Sequence, residues 1–213
     1  DLEPLDKVDG KALFSDPKGV EIYMANLYSQ LPIEDFNYMA PSGFNSWYGD
    51  NMVPALLIDE GTHSEYVDKY RPEFFPWFSQ GYKLLRDINS LAETIPTLTS
   101  ISEAEKKRMI GEVAFVRAYS YFDLAKRYGG VPIVENVQNW EGDLDELMLT
   151  RATEKDTWDY CLAQCDTAAN NLPESWDEGS RRATKWVALT LKTRAALHAA
   201  SIAKFGTKVT LEG

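Results

Sequence analysis

Two kinds of side chain stand in patterns that could do chemistry: carboxylates in short acidic runs, and aromatic rings in one dense segment. The acidic runs are Asp59-Glu60 and the group Asp143, Asp145 and Glu146. Glycoside hydrolysis needs two carboxyl groups across a sugar, roughly 5–9.5 Å apart, and nothing in the spacing sets such a pair. Acidic loops are ordinarily solvated, and no DxDxDG-type register marks a calcium loop. Cys161 and Cys165 lie four apart in a helical pattern, where a bridge would close a very short loop. They read as small core residues rather than a redox pair. His63 and His198 are far apart and sit in no HExxH-like spacing, so no metal site is expected. GxGxxG and GxxxxGK[ST] loops are both absent, so no phosphate-binding cofactor is expected. The aromatic segment is different. Residues 36–82 hold 12 of the 26 aromatic residues, and FNYMAPSGFNSWYGDN, at 36–51, reads as a Gly-, Ser- and Asn-rich loop. Loops carrying aromatics on a rigid frame are where binding is expected, although such rings also pin loops to a core.

The frame reads as a series of helices. Asp16-Pro17 supplies an N-cap and a first-turn proline, and apolar residues from Val20 to Leu31 follow at helical spacing until Pro32. A second helix is expected from about Pro76 to Ile95, with Trp77 as a packing residue and Pro96 as the stop. The third, from Glu103 to Tyr128, has a capping-box pattern at Ser102 and Glu105 and spans roughly 39 Å. Its second half is apolar almost all round, which predicts a central helix with Phe115, Tyr119 and Phe122 largely buried. Arg117, Ser120, Asp123 and Arg127 form one narrow polar stripe and read as structural, with Asp123 and Arg127 placed for an i,i+4 pair worth ~0.3–0.5 kcal/mol. Gly129 suits a left-handed cap, Pro132 ends the pattern, and VPIVENV reads as a short extended segment. Further helices are expected from Thr153 to Pro173 and from about Thr184 to Phe205, the last rich in alanines suited to close helix contact. Trp140 and Trp176 fall in other loops, as surface or packing residues. No βαβ or hairpin pattern appears, so the fold class is all-α.

Composition narrows the function. Net charge is −11 and pI is about 4.7, which argues against nucleic acid and against adsorption to anionic lipid. No apolar run approaches the ~20 residues of a membrane span, and the N-terminus does not read as a signal peptide. At 24.1 kDa the chain can bury a core as one domain or two small ones. An internal echo, Arg117-Ala118 to Arg127-Tyr128-Gly129 and Arg194-Ala195 to Lys204-Phe205-Gly206, has an offset of 77 residues. It fits stacked helical hairpins of the tetratricopeptide kind, and it also fits chance likeness between two helices that end alike.

GEVAFVRAYSYFDLAKRYGGVPIV, residues 111–134, resembles the signature segment of the SusD/RagB family of outer-membrane nutrient-uptake lipoproteins. Residues 5–31 resemble the family's N-terminal stretch, and 182–201 resemble a later helix, so the likeness spans nearly the whole chain. It implies tetratricopeptide-like helical hairpins with long aromatic-rich loops, with residues 1–213 a single N-terminal helical region. The family's C-terminal region and its lipidated cysteine then lie outside this sequence. It further implies a surface-exposed outer-membrane lipoprotein that captures an oligosaccharide or polysaccharide and delivers it to a SusC-like TonB-dependent barrel. Membrane attachment then comes only from an upstream lipid anchor.

Sugar recognition needs flat aromatic faces against ring C–H faces and planar polar groups for paired hydrogen bonds to hydroxyls. In the 36–51 loop, Trp47 and Tyr48 are the stacking candidates, and Asn45, Asp50 and Asn51 are the hydroxyl partners. No catalytic residue is assigned and no enzyme activity is expected. A peptide-binding uptake protein with a tetratricopeptide-like groove is the alternative, and an α-helical glycoside-active enzyme is a third possibility. The acidic composition carries one direct expectation. The purified chain should stay in the supernatant when anionic vesicles are sedimented, and co-sedimentation would contradict lipid attachment through an anchor alone.

Overall fold

Helix α3, Glu103–Tyr128, is the axis of the molecule, and its start is built as the sequence predicts. Ser102 accepts from the Glu105 backbone N–H, and the Glu105 side chain accepts from the Ser102 N–H. These bonds satisfy two groups that a helix terminus otherwise leaves unpaired, and they hold the Glu105 carboxyl below its usual range. A computed structural model describes residues 17–33, 77–138, 147–177 and 179–208. Around α3 stand α1 (Pro17–Ser29), α2 (Phe78–Thr94), α4 (Glu154–Asn171) and α5 (Lys185–Phe205), and α3 packs against all four. No strand occurs among the described residues.

The order of contacts makes each of α2, α3 and α4 antiparallel to the helix that follows it. Gly81 of α2 lies against Leu124 of α3, while Asn89 meets Arg117. Gly111 of α3 lies against Leu172 at the end of α4, while Phe122 meets Trp158 near its start. Trp158 in turn stacks on His198 of α5, and Asp166 pairs with Lys192. Helices α2 to α5 thus form an up-and-down array sharing one core. At Gly111 a methyl group would stand 2.9 Å from the Leu172 nitrogen, so glycine sets the closeness of α3 and α4 there.

Fourteen residues of α3 are buried, including Phe115 (6% exposed) and Phe122 (1%). Tyr119 is only half-buried, because it lies at the margin of the core beside those two rings. The polar stripe differs from expectation in its surroundings. Ser120 and Asp123 are buried, so the Asp123 carboxylate is shielded from water and paired with both Arg127 and Lys126. An exposed-pair magnitude therefore understates this interaction. The α2 boundary also differs. The helix starts at Phe78, after a Trp77 cap that makes no side-chain bond, and its end tightens into a 3-10 turn, Ile95–Thr97, containing Pro96.

Cys161 and Cys165 are both fully buried and unbridged, as core residues. The Cys161 thiol donates to the Ala118 carbonyl at 3.3 Å, and its pKa is pushed up by the neighbouring Cys165 and by burial. Such thiols are poor nucleophiles. The 77-residue echo is partly structural. Ala118 and Ala195 are both fully buried, and both helices close with a glycine N–H bonded four residues back. Only Gly129 has positive φ, however, and Arg117 bonds to Asn89 whereas Arg194 lies over the Phe122 ring. Helix α5 buries Ala188, Leu191 and Ala195 and leaves Trp186, Leu197 and Phe205 exposed on its outer side. No described helix is long and apolar enough to cross a membrane.

Phe115 is buried with its ring beside Tyr28 of α1 and Tyr119 of its own helix, so removing the ring leaves a cavity in the core. Phe115→Ala should cost about 3–5 kcal/mol in denaturant unfolding, and a loss below about 1 kcal/mol would contradict this packing.

Candidate functional site

Asn45, Trp47, Tyr48, Asp50 and Asn51 lie outside the described residues. The structure instead shows what holds the chain on either side of them. On the N-terminal side Leu31 is buried in the core, and the Ile33 N–H donates to the Leu31 carbonyl at 2.8 Å. On the C-terminal side the Trp77 ring is fully buried, as the sequence predicts, and its backbone N–H donates to the Tyr128 hydroxyl at 3.1 Å. A methyl group on Gly81 would stand 2.8 Å from that ring, so the indole lies close against the first turn of α2. Both ends of the aromatic-rich segment are thus fixed to the helical frame.

Beside the Trp77 anchor runs the strap 131–138, the extended segment of the sequence analysis. It joins no ladder among the described residues, so its backbone polar groups need other partners. The Val131 N–H donates to Thr157 at 3.2 Å, and the Ala152 N–H donates to the Val131 carbonyl at 3.2 Å. Tyr82 donates to the Pro132 carbonyl at 2.6 Å, and the Val134 N–H donates to the Tyr121 hydroxyl at 2.7 Å. Asn89 donates to the carbonyls of Val134 and Asn136, both at 3.1 Å, and accepts from Arg117 at 2.8 Å. The Val137 N–H donates to Glu93 at 2.8 Å. Burial pushes the Tyr82 and Tyr121 hydroxyls well above the usual tyrosine range, so both stay protonated. Arg117 is thereby structural, as expected.

The turn into the strap requires its glycines. Gly129 has φ 69°, and a methyl group at Gly130 would fall 2.1 Å from the Ala152 carbonyl oxygen. Arg151 crosses this corner and donates to the carbonyls of Tyr128 and Gly130, at the end of α3 where a cation is favoured.

A second polar cluster lies on α3 nearer its start. The Glu112 carboxylate is fully buried. Arg182 donates to it through Nε, at 2.7 Å, and through Nη2, at 2.5 Å. Tyr28 of α1 donates to Glu112 at 3.2 Å and accepts from the Ala183 N–H at 3.2 Å. The Arg182 guanidinium also lies 3.9 Å from the centre of the Trp176 ring. The carboxylate raises the guanidinium pKa, and burial followed by the Glu112 charge raises that of Tyr28. Sequence reasoning named Glu112 only within the resemblance and gave it no role. The available signal was a glutamate inside an apolar helical run, which requires a counter-ion if buried. Among the described residues no group of three His, Cys, Asp or Glu side chains could hold a metal ion.

This geometry is a helical-hairpin frame that fixes a long aromatic segment at both ends, and comparison with known proteins gives its class. The SusD-like family model described as "Starch-binding associating with outer membrane" matches residues 4–197, and the chain belongs to this family. A SusD-like protein of Bacteroides ovatus is 28% identical over 167 residues, which cover 70% of this chain and 29% of that protein. A crystal structure of a SusD-like protein from Bacteroides fragilis superposes with a TM-score of 0.67 at 28% identity, covering 98% of this chain and 42% of that one. A structure described as a laminarin binding SusD-like protein shares the fold, with a TM-score of 0.58 at 16% identity over 86% of this chain and 40% of that one. The chain thus spans less than half the length of each.

The Glu112 cluster makes a stability prediction. Arg182→Ala leaves a buried carboxylate with Tyr28 as its remaining donor and should cost about 3 kcal/mol or more in chemical denaturation. Replacing both partners by methionine should recover much of that loss. A double variant no more stable than Arg182→Ala would show that the charge pair is not the source of the cost.

Proposed function

We propose that this chain serves in the capture of oligosaccharide at the cell surface, as a binding protein and not an enzyme, and in its delivery to a SusC-like TonB-dependent barrel. The observation that carries the proposal is family membership across residues 4–197, in a family described as starch-binding and associated with the outer membrane. Attachment by a lipidated cysteine on the outer surface belongs to the same proposal. The frame supports it in physical terms. Leu31 and Trp77 fix both ends of the aromatic-rich segment, which limits the entropy that ligand binding there would cost.

In the 36–51 loop Trp47 stacks on a sugar ring with Tyr48 beside it, and Asn45, Asp50 and Asn51 bond to hydroxyls. Stacking buries a large flat area against ring C–H groups, so Trp47→Ala should weaken binding by about 2 kcal/mol, on the order of thirtyfold. Calorimetry against soluble starch and laminarin, with a thermal melt of each variant, measures this. Unchanged affinity with a clearly lowered melting temperature would make Trp47 a packing residue and refute its role in recognition.

A further inference from the structure

Phe78 opens α2, directly after the Trp77 anchor, and is 43% exposed although a core lies beside it. Its ring is held from behind. The Tyr82 ring is centred 4.7 Å away with a 44° tilt, and the Tyr128 ring is centred 5.3 Å away at 87°. Neither tyrosine can turn aside without breaking a bond, because Tyr82 donates to the Pro132 carbonyl and Tyr128 accepts from the Trp77 N–H. The three rings therefore form a ledge with fixed back and open front.

Arg151 lies at the same end of the molecule. It donates to the carbonyls of Tyr128 and Gly130 through Nη2 and Nε, and its charge acts on the Tyr82 hydroxyl. Its Nη1 has no bonding partner among the described residues, so it remains a planar donor edge anchored through the other two nitrogens. A flat apolar face with a fixed guanidinium edge suits a pyranose ring: the C–H face meets the aromatic ring and a hydroxyl meets the guanidinium. Two long-range anchors preorganise the ledge, so little conformational entropy is lost on contact.

We propose that Phe78, supported by Tyr82 and Tyr128 and edged by Arg151, is a sugar-stacking subsite on the helical frame, separate from the 36–51 loop. The inference rests on the glycan-capture reading and adds to it a second contact for one neutral pyranose unit of an extended chain.

The test uses Phe78→Leu, which keeps apolar packing on Tyr82 and Tyr128 but removes the flat face, together with Phe78→Ala and Phe78→Tyr. Each is compared with wild type by affinity electrophoresis and calorimetry on soluble starch and laminarin, with a thermal melt as control. The expected result is a loss on the order of fivefold for Phe78→Leu and Phe78→Ala on the polysaccharide that wild type binds. Phe78→Tyr should bind like wild type, and the melting temperature of Phe78→Leu should be little changed. Wild-type affinity in Phe78→Leu, with binding still weakened by Trp47→Ala, would overturn the subsite and leave glycan capture standing. A wild-type protein that binds neither polysaccharide would overturn both.

Discussion

The buried carboxylate of Glu112 is the constraint on which the arrangement of the helices turns. A charge taken out of water is tolerated only where donors surround it, and here they come from distant parts of the chain. Tyr28 reaches it from α1, and Arg182 reaches it from the turn before α5. The Ala183 N–H closes the circuit on the Tyr28 hydroxyl. A slide of α1 along α3 would cost that carboxylate its Tyr28 donor, and a shift of the turn that leads into α5 would cost it Arg182. A hydrophobic core rewards many near-equivalent packings, whereas this cluster accepts one. In this chain we take it as a device of specificity more than of net stability.

The strap follows the same logic with neutral groups. A segment without a ladder must still satisfy its backbone, and side chains of α2, α3 and α4 do so. Asn89 is central because its amide both donates to two carbonyls and accepts from Arg117, which ties the strap to the middle of α3. Gly130 lets the strap lie against the backbone of 152–154, and Arg151 covers the carbonyls left at the end of α3. One corner of the molecule thus becomes rigid without regular secondary structure.

That rigidity bears on function. A loop that recognises a sugar gains affinity when its ends are already fixed. Leu31 and Trp77 fix the ends of the aromatic-rich segment, and Trp77 is itself bonded to Tyr128 beside the strap. The signature region, through Tyr128, is thereby part of what fixes the C-terminal end of that segment. Its buried polar residues hold backbone and helices.

Much of the fold was legible in the sequence because it depends on local rules. The capping box at Ser102, the caps at Thr153 and Thr184, the turn at Gly129 and the apolar character of α3 all follow from residues close in the chain. Trp77 as a packing residue, and Cys161 and Cys165 as core, were legible for the same reason: size and period fix their side. The candidate loop residues Trp47, Tyr48, Asn45, Asp50 and Asn51 follow from aromatic density and family likeness, not from any local rule of geometry. Tertiary structure alone decided the partners. Glu112 and Arg182 are 70 residues apart, Tyr28 and Ala183 are 155 apart, and no periodicity links them. It also decided that Asp123 is buried with two cations, that the strap is held by side chains, and that Phe78 stands open on a fixed pair of tyrosines. The physical reason is that burial and charge pairing depend on what the rest of the chain brings to a position, whereas helix starts and stops depend on the few residues around them.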